Sequence, residues 1–207
     1  MSAEEKFCQV VSYVFNPLLM TTIMCAVLHY IFDAFVMYTA NYHLILLALV
    51  FVFTFVLPML LMVTLRFIGA IDTMMIKKRE NRFIPYLLVA AVYLLAGIML
   101  YKQNVKDHVL VNFMFYGGCL LLLVALINIK FKISAHAISV ASVLGVVLVE
   151  CFQDNNIYHI ATFLAFLFLS GLIIYSRLKL KAHDPFEVTT GFSFGFIYGI
   201  IGAVIIL

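Results

Sequence analysis

Seven long apolar runs dominate the sequence and restrict what the chain can fold into. They cover residues 17–38, 44–65, 84–101, 109–127, 136–152, 158–175 and 191–207. A helix needs about 20 apolar residues to cross the hydrocarbon core of a bilayer, and each run reaches or approaches this length. The runs are continuous, without the alternation of apolar and polar residues that marks a membrane β-barrel. They predict an all-α, polytopic membrane helix bundle of six to seven transmembrane helices.

Few residues remain for a soluble part. Charged residues make up 11% of the chain and hydrophobic residues 66%, whereas a soluble domain carries about 25% charged residues. We therefore expect a single transmembrane domain over residues 1–207. The four cysteines are scattered without a CxxC pair, and we expect them to be small core residues. The N-terminus, MSAEEKF, is acidic where a signal peptide would be basic, so the first run is expected to stay in the mature protein.

The basic residues are distributed unevenly among the loops. If all seven runs cross the membrane, the N-terminus and the loops after the second, fourth and sixth runs lie on one side. Eleven of the 13 Lys and Arg residues fall on that side, and only Lys102 and Lys106 fall opposite. Because short cytoplasmic loops are enriched in Lys and Arg, the side with eleven basic residues is predicted to be cytoplasmic.

The loops on the basic side also contain the side chains best suited to chemistry. Loops that emerge at one membrane face can converge, and a pocket of histidines and cations suits a phosphate carried on a lipid whose tail stays in the bilayer. The candidates are Arg79 and Arg82 before the third run, Lys132, Ser134 and His136 at the start of the fifth, and Arg177 and His183 in residues 176–190.

Two helix starts are predicted within these loops. Ser134 precedes an apolar run and is placed to cap its first turn, where free backbone N–H groups make an anion site. In the second, Asp184 is the predicted N-cap, Pro185 the first helical residue and Glu187 the third. His183 comes just before this helix, and Glu187 lies one turn later, where its carboxylate can reach back to the His183 ring.

The residues around this second helix start resemble a signature of a known family. The segment SRLKLKAHDPFEVTTG, residues 176–191, resembles the third signature of the type 2 phosphatidic acid phosphatase family, SRxxxxxHxxxD. The serine, arginine and histidine have the family spacing, and Glu187 occupies the aspartate position.

The other two signatures are less complete. KISAHA, residues 132–137, is similar to the second signature, PSGH, with Ser134 and His136 retained. The first signature, KxxxxxxRP, is echoed only near Arg82, with no lysine at its lysine position. Two apolar runs separate Arg82 from the second signature, whereas in the family the two usually flank one loop.

The resemblance implies a metal-free lipid phosphate or diphosphate phosphatase that works through a phosphohistidine, without a cofactor. The implied partners are a lipid phosphate and the bilayer, with no nucleic acid, and the implied location is the cytoplasmic membrane of a bacterium. In this scheme His183 is the nucleophile, Glu187 orients its ring and His136 is the general acid. The phosphate would be bound by Arg177, Ser134, Arg82, Arg79 and Lys132.

Two other functions stay open at this stage. One is a catalytically inactive relative that binds or transports a phosphorylated lipid. The other is a metal site built from His136, His183 and Glu187. The substrate is equally open among phosphatidate, phosphatidylglycerophosphate, a polyprenyl diphosphate and a lipid A phosphate.

Three features outside the candidate site have structural interpretations. His29 and Asp33 are spaced i, i+4 and are read as a structural pair. Glu150 and His159 flank the loop on the far side and are expected to be solvated. A stripe of small residues along the last run predicts close helix packing; it consists of Gly191, Gly195, Gly199 and Gly202.

Overall fold

The structure is a computed structural model that describes residues 2–32, 40–71, 73, 76, 78–103, 108–153 and 156–206, with side chains omitted for residues 40–43. Asp33, Lys106 and one of the eleven basic residues, Lys77, therefore lie outside the described part of the chain.

Within the described ranges all regular secondary structure is helical. Six helical segments are long and apolar enough to cross a membrane, or seven if the bent pair α1 and α2 forms one span. The prediction of an all-α, multi-pass membrane protein is thus confirmed. The α-helices are α1 (Ala3–Val14), α2 (Pro17–Tyr30), α3 (Ala40–Phe51), α4 (Leu57–Phe67), α5 (Phe83–Lys102), α6 (His108–Lys130), α7 (Ala135–Gln153), α8 (Ile157–Lys179) and α9 (Pro185–Ile206).

The chain divides into two compact units, which are described separately. The first contains Met1–Met20, Tyr30–Phe32 and Ile133–Leu207, and the second contains Thr21–His29 and Asp33–Lys132. Helices α1, α7, α8 and α9 belong to the first unit. The single domain over residues 1–207 stays a prediction.

A seam of small residues joins α7 and α9 in the first unit. Gly195 and Gly199 of α9 lie so close to α7 that a Cβ atom at either position would meet the backbone oxygen of Ile138 or Ser142. Gly145 of α7 makes the reciprocal approach to the backbone of α9. Residue numbers rise together along the two helices, so α7 and α9 run parallel and their N-termini lie at the same end. The predicted packing role of the glycine stripe is confirmed.

The opposite end of the first unit corrects one expectation. Glu150 and His159, expected to be solvated, are buried. The Nε2 atom of His159 lies 3.1 Å from the backbone oxygen of Ile31, and the imidazole packs against the Phe32 ring with centroids 4.3 Å apart. The expectation failed because Ile31 and Phe32, which follow α2 and are distant in sequence, cover this histidine.

In the second unit a proline leaves one backbone carbonyl of a membrane span without its helical partner, and a tyrosine binds it. A π-helical segment, Val52–Val56, joins α3 to α4, and Pro58 follows it. Pro58 has no N–H group to bond the carbonyl of Thr54, four residues earlier. That carbonyl accepts a hydrogen bond from the hydroxyl of Tyr93 at 3.4 Å. The Tyr93 hydroxyl also lies 3.0 Å from Thr21 Oγ1, and Thr22 Oγ1 lies 2.9 Å from Thr54 Oγ1. These bonds satisfy polar groups that lipid would leave unpaired.

Candidate functional site

The turn between α8 and α9 sets the position of His183. Helix α8 ends in a Schellman motif, because the Ala182 N–H donates to the Arg177 carbonyl and the Lys181 N–H to the Leu178 carbonyl. Lys181 takes the left-handed conformation of this motif, with φ of 50°. The chain reverses within residues 180–184. Residues 176–179, predicted as loop, form the last turn of α8, and α9 begins at Pro185, the predicted first helical residue. The reversal places His183 next to the first turn of α9.

His183 and Glu187 form a close, buried polar pair at this end of the unit. Nδ1 of His183 lies 2.6 Å from Oε2 of Glu187, and their side chains are 3% and 12% exposed. Asp184 caps the helix, since its carboxylate accepts the Glu187 N–H at 2.8 Å. A carboxylate only accepts hydrogen bonds, so the Nδ1 atom is the donor in this pair. The predicted cap and the predicted reach of Glu187 to the ring are both confirmed.

The start of α7 lies beside this pair. The Ser134 N–H points at the Glu187 backbone oxygen, 3.4 Å away. The Ser134 hydroxyl accepts the Ala137 N–H at 3.4 Å, as predicted for an N-cap. Gly191 of α9 permits the approach, because a Cβ there would come within 3.1 Å of the Ser134 oxygen. The N-termini of α7 and α9, with their positive dipole ends, therefore lie together.

His136 is held by the N-terminal helix. It occupies the first turn of α7, and its Nε2 atom lies 3.0 Å from the backbone oxygen of Ser12 in α1. A carbonyl only accepts, so Nε2 carries a proton in this arrangement. His136 is thus two residues from Ser134, at the same end of the unit as His183.

Arg177 is also at this end. It lies in the last turn of α8 and is 5% exposed. Seven predicted features of the site now have a position in one unit, namely the two helix starts and the residues Ser134, His136, Arg177, His183 and Glu187. Glu187 contacts both Ser134, through its backbone oxygen, and His183, through its carboxylate. His136 lies in the first turn of α7 and Arg177 in the last turn of α8, at the same end of the unit.

The remaining predicted residues belong to the second unit. Arg79 Nη1 donates to the Lys130 carbonyl at 2.5 Å, at the C-terminus of α6, and Asn128 Nδ2 donates to the Arg79 carbonyl at 2.9 Å. Arg82 is buried, and its Nε donates to the Ile76 carbonyl at 2.8 Å. Lys132 lies in the non-helical residues before α7 and is half-buried. Both guanidinium groups thus bind backbone carbonyls of their own unit, and phosphate binding by the three cations stays a prediction.

Among the described residues, no group of three or more His, Cys, Asp and Glu side chains could hold a metal ion. The metal site of His136, His183 and Glu187 is therefore not formed. The Nε2 atom of His136 instead hydrogen-bonds to the Ser12 backbone carbonyl.

The contact of α1 with the site was missed from the sequence. Beyond Ser12, Glu4 of α1 accepts the Tyr175 hydroxyl and pairs with Lys179, whose Nζ lies 2.5 Å from Glu4 Oε2. A signal for α1 was present, since Ser2 and Glu5 have the spacing of a capping box and form one. Its docking partners could not be read from that spacing.

No protein-family model, curated protein or solved structure matches the chain. The fold itself defines the class, which is that of an α-helical, multi-pass membrane protein.

Proposed function

We propose that this protein is a metal-independent lipid phosphate or diphosphate phosphatase that works through a phosphohistidine. The observation that supports it best is the short bond between the buried His183 ring and Glu187, directly beside the N-terminus of α7. A histidine oriented by a carboxylate is the arrangement of an activated nucleophile. Two adjacent helix N-termini and a buried arginine favour an anionic group next to it.

The proposed reaction has two steps. In the first, the lone pair of His183 Nε2 attacks phosphorus, the bond from phosphorus to the alkoxide or phosphate oxygen breaks, and His136 protonates the departing oxygen. In the second, water attacks the phosphohistidine, His136 takes a proton from it, and the P–N bond breaks to release phosphate. Glu187 keeps the proton on Nδ1 throughout, and Arg177 stabilises charge on the phosphoryl oxygens.

The surroundings of the site favour a lipid substrate. The site lies at the end of membrane spans, where a phosphate headgroup can enter while its apolar tail remains in lipid. The excess of Lys and Arg on this side favours a cytoplasmic site in a bacterial cytoplasmic membrane. The incomplete first signature favours the second candidate function, an inactive relative that binds or transports a phosphorylated lipid.

Phosphate release from purified protein separates these candidates. A panel of phosphatidate, phosphatidylglycerophosphate, polyprenyl diphosphate and lipid A should contain at least one substrate, hydrolysed equally with and without chelator. His183→Ala should abolish release and the acid-labile phosphoenzyme trapped by rapid quenching, whereas His108→Ala, at an exposed position in the second unit, should not. Binding of a lipid phosphate without any release would favour the inactive relative.

A further inference from the structure

Helix α1 presents three different faces along its length. Phe7, Val10 and Val14 follow the spacing i, i+3 and i+7, which places them on one stripe. Their exposed fractions are 54%, 58% and 54%. An exposed apolar stripe of this kind marks contact with another apolar phase.

The other two faces have their own character. Cys8, Val11 and Ser12 are buried. Ser2, Glu5 and Gln9 repeat the spacing i, i+3 and i+7 on the third face, which is polar. The Ser2 and Glu5 side chains each bond the other's backbone N–H, at 3.1 and 2.8 Å, and fix the start of the helix.

Two contacts locate α1 at one end of the membrane spans. Near its start, Glu4 binds Tyr175 and Lys179 in the last turns of α8. Near its end, the Ser12 carbonyl meets His136 in the first turn of α7. A 12-residue helix is about 18 Å long, yet both contacts fall in terminal turns at the same end of the spans. Helix α1 therefore extends across this end, and the chain bends by 59° before α2.

We propose that α1 is an interfacial helix whose Phe7 stripe is immersed at the boundary between the lipid headgroups and the acyl chains. The ends of α7 and α8 set its depth, its buried face binds the first unit, its apolar stripe contacts lipid and its polar face contacts water. Such helices lie with their apolar side roughly 5–10 Å into this boundary. The alternative is that α1 and α2 together form one broken span.

The chemistry of α1 also identifies what holds it in lipid. Its only basic residue is Lys6, which is offset by Glu4 and Glu5. Attraction to anionic headgroups is therefore weak, and apolar burial provides the contact with lipid. Immersion should not depend on the fraction of anionic lipid or on salt. The inference does not depend on the proposed phosphatase activity.

A single tryptophan tests the position of the stripe, because the chain contains none. The full-length Phe7→Trp protein is reconstituted in phosphatidylcholine vesicles with bromine atoms either near the headgroup end or near the terminus of the acyl chains. We expect quenching to be at least about twofold stronger with the shallow bromines, little quenching by aqueous iodide, and the same profile when anionic lipid or salt is added.

Two matched variants calibrate the measurement. Gln9→Trp, on the polar face of α1, should be quenched by iodide. Phe168→Trp, at an exposed site midway along α8, should be quenched most by the deep bromines. Val14→Trp carries the same prediction as Phe7→Trp and replaces it if that variant does not fold. A profile like that of Gln9→Trp would overturn the proposal, and a profile like that of Phe168→Trp would show that α1 spans the membrane.

Discussion

Replacing Gly195 with Ala tests the parallel packing of α7 and α9 most directly. The added Cβ would meet the backbone oxygen of Ile138 and would lie 2.8 Å from its Cα and 2.9 Å from its carbonyl carbon. Ordinary contacts between such atoms are about 3.5–4.0 Å. Backbone atoms inside a helix cannot rotate away as a side chain can, so α7 and α9 must separate.

The cost follows from two opposing effects. Overpacking of a close contact costs about 1–3 kcal/mol, and the replacement of Gly by Ala recovers about 0.4–1 kcal/mol by restricting the unfolded chain. We expect a net loss of roughly 0.5–2 kcal/mol in the free energy of unfolding. The separation of the helices should also draw Ser134 away from Glu187, since both lie on the same seam.

Gly171→Ala provides the control. Gly171 is in α8, and a Cβ there meets nothing within 4 Å. This variant should keep or gain stability, by up to about 1 kcal/mol. Thermal unfolding in detergent, followed by the reaction of a fluorogenic maleimide with the buried cysteines, measures both. Equal unfolding temperatures for Gly195→Ala and Gly171→Ala would refute the packing argument.

Glu187→Gln removes the charge that orients the neighbouring imidazole, and kcat for lipid phosphate hydrolysis should fall by about 10²–10⁴-fold with little change in KM. His136→Gln should slow release of alkoxide leaving groups more than release of nitrophenolate; equal losses would contradict its role as the acid. Lys181→Gly relieves a left-handed residue and should raise the free energy of unfolding by about 0.5–1 kcal/mol in thermal denaturation. With single cysteines in a cysteine-free background, an impermeant maleimide on intact cells should label position Lys106 and spare Lys179; the reverse would place the site outside.

The spans and helix caps could be predicted because they depend on local sequence. A run of about 20 apolar residues favours a membrane helix whatever surrounds it. The Asp184 cap and the bond between His183 and Glu187 join residues three and four positions apart, a separation fixed by helix geometry. The apolar runs by themselves do not mark where the helices begin. Helix α9 begins at Pro185, before the apolar run at 191, because the cap determines where it starts.

Only the tertiary structure decided which distant residues meet. The bond between His136 and Ser12 joins residues 124 positions apart, and the burial of His159 depends on Ile31 and Phe32, which follow α2. A helical pattern shows which residues share a face, but not which helix that face will contact. For α7 and α9 the register was set by the glycine seam, where the closest approach of two backbones is possible. That register brings Ser134 to Glu187. It depends on the packing of two whole helices against each other, which the local sequence around either residue does not determine.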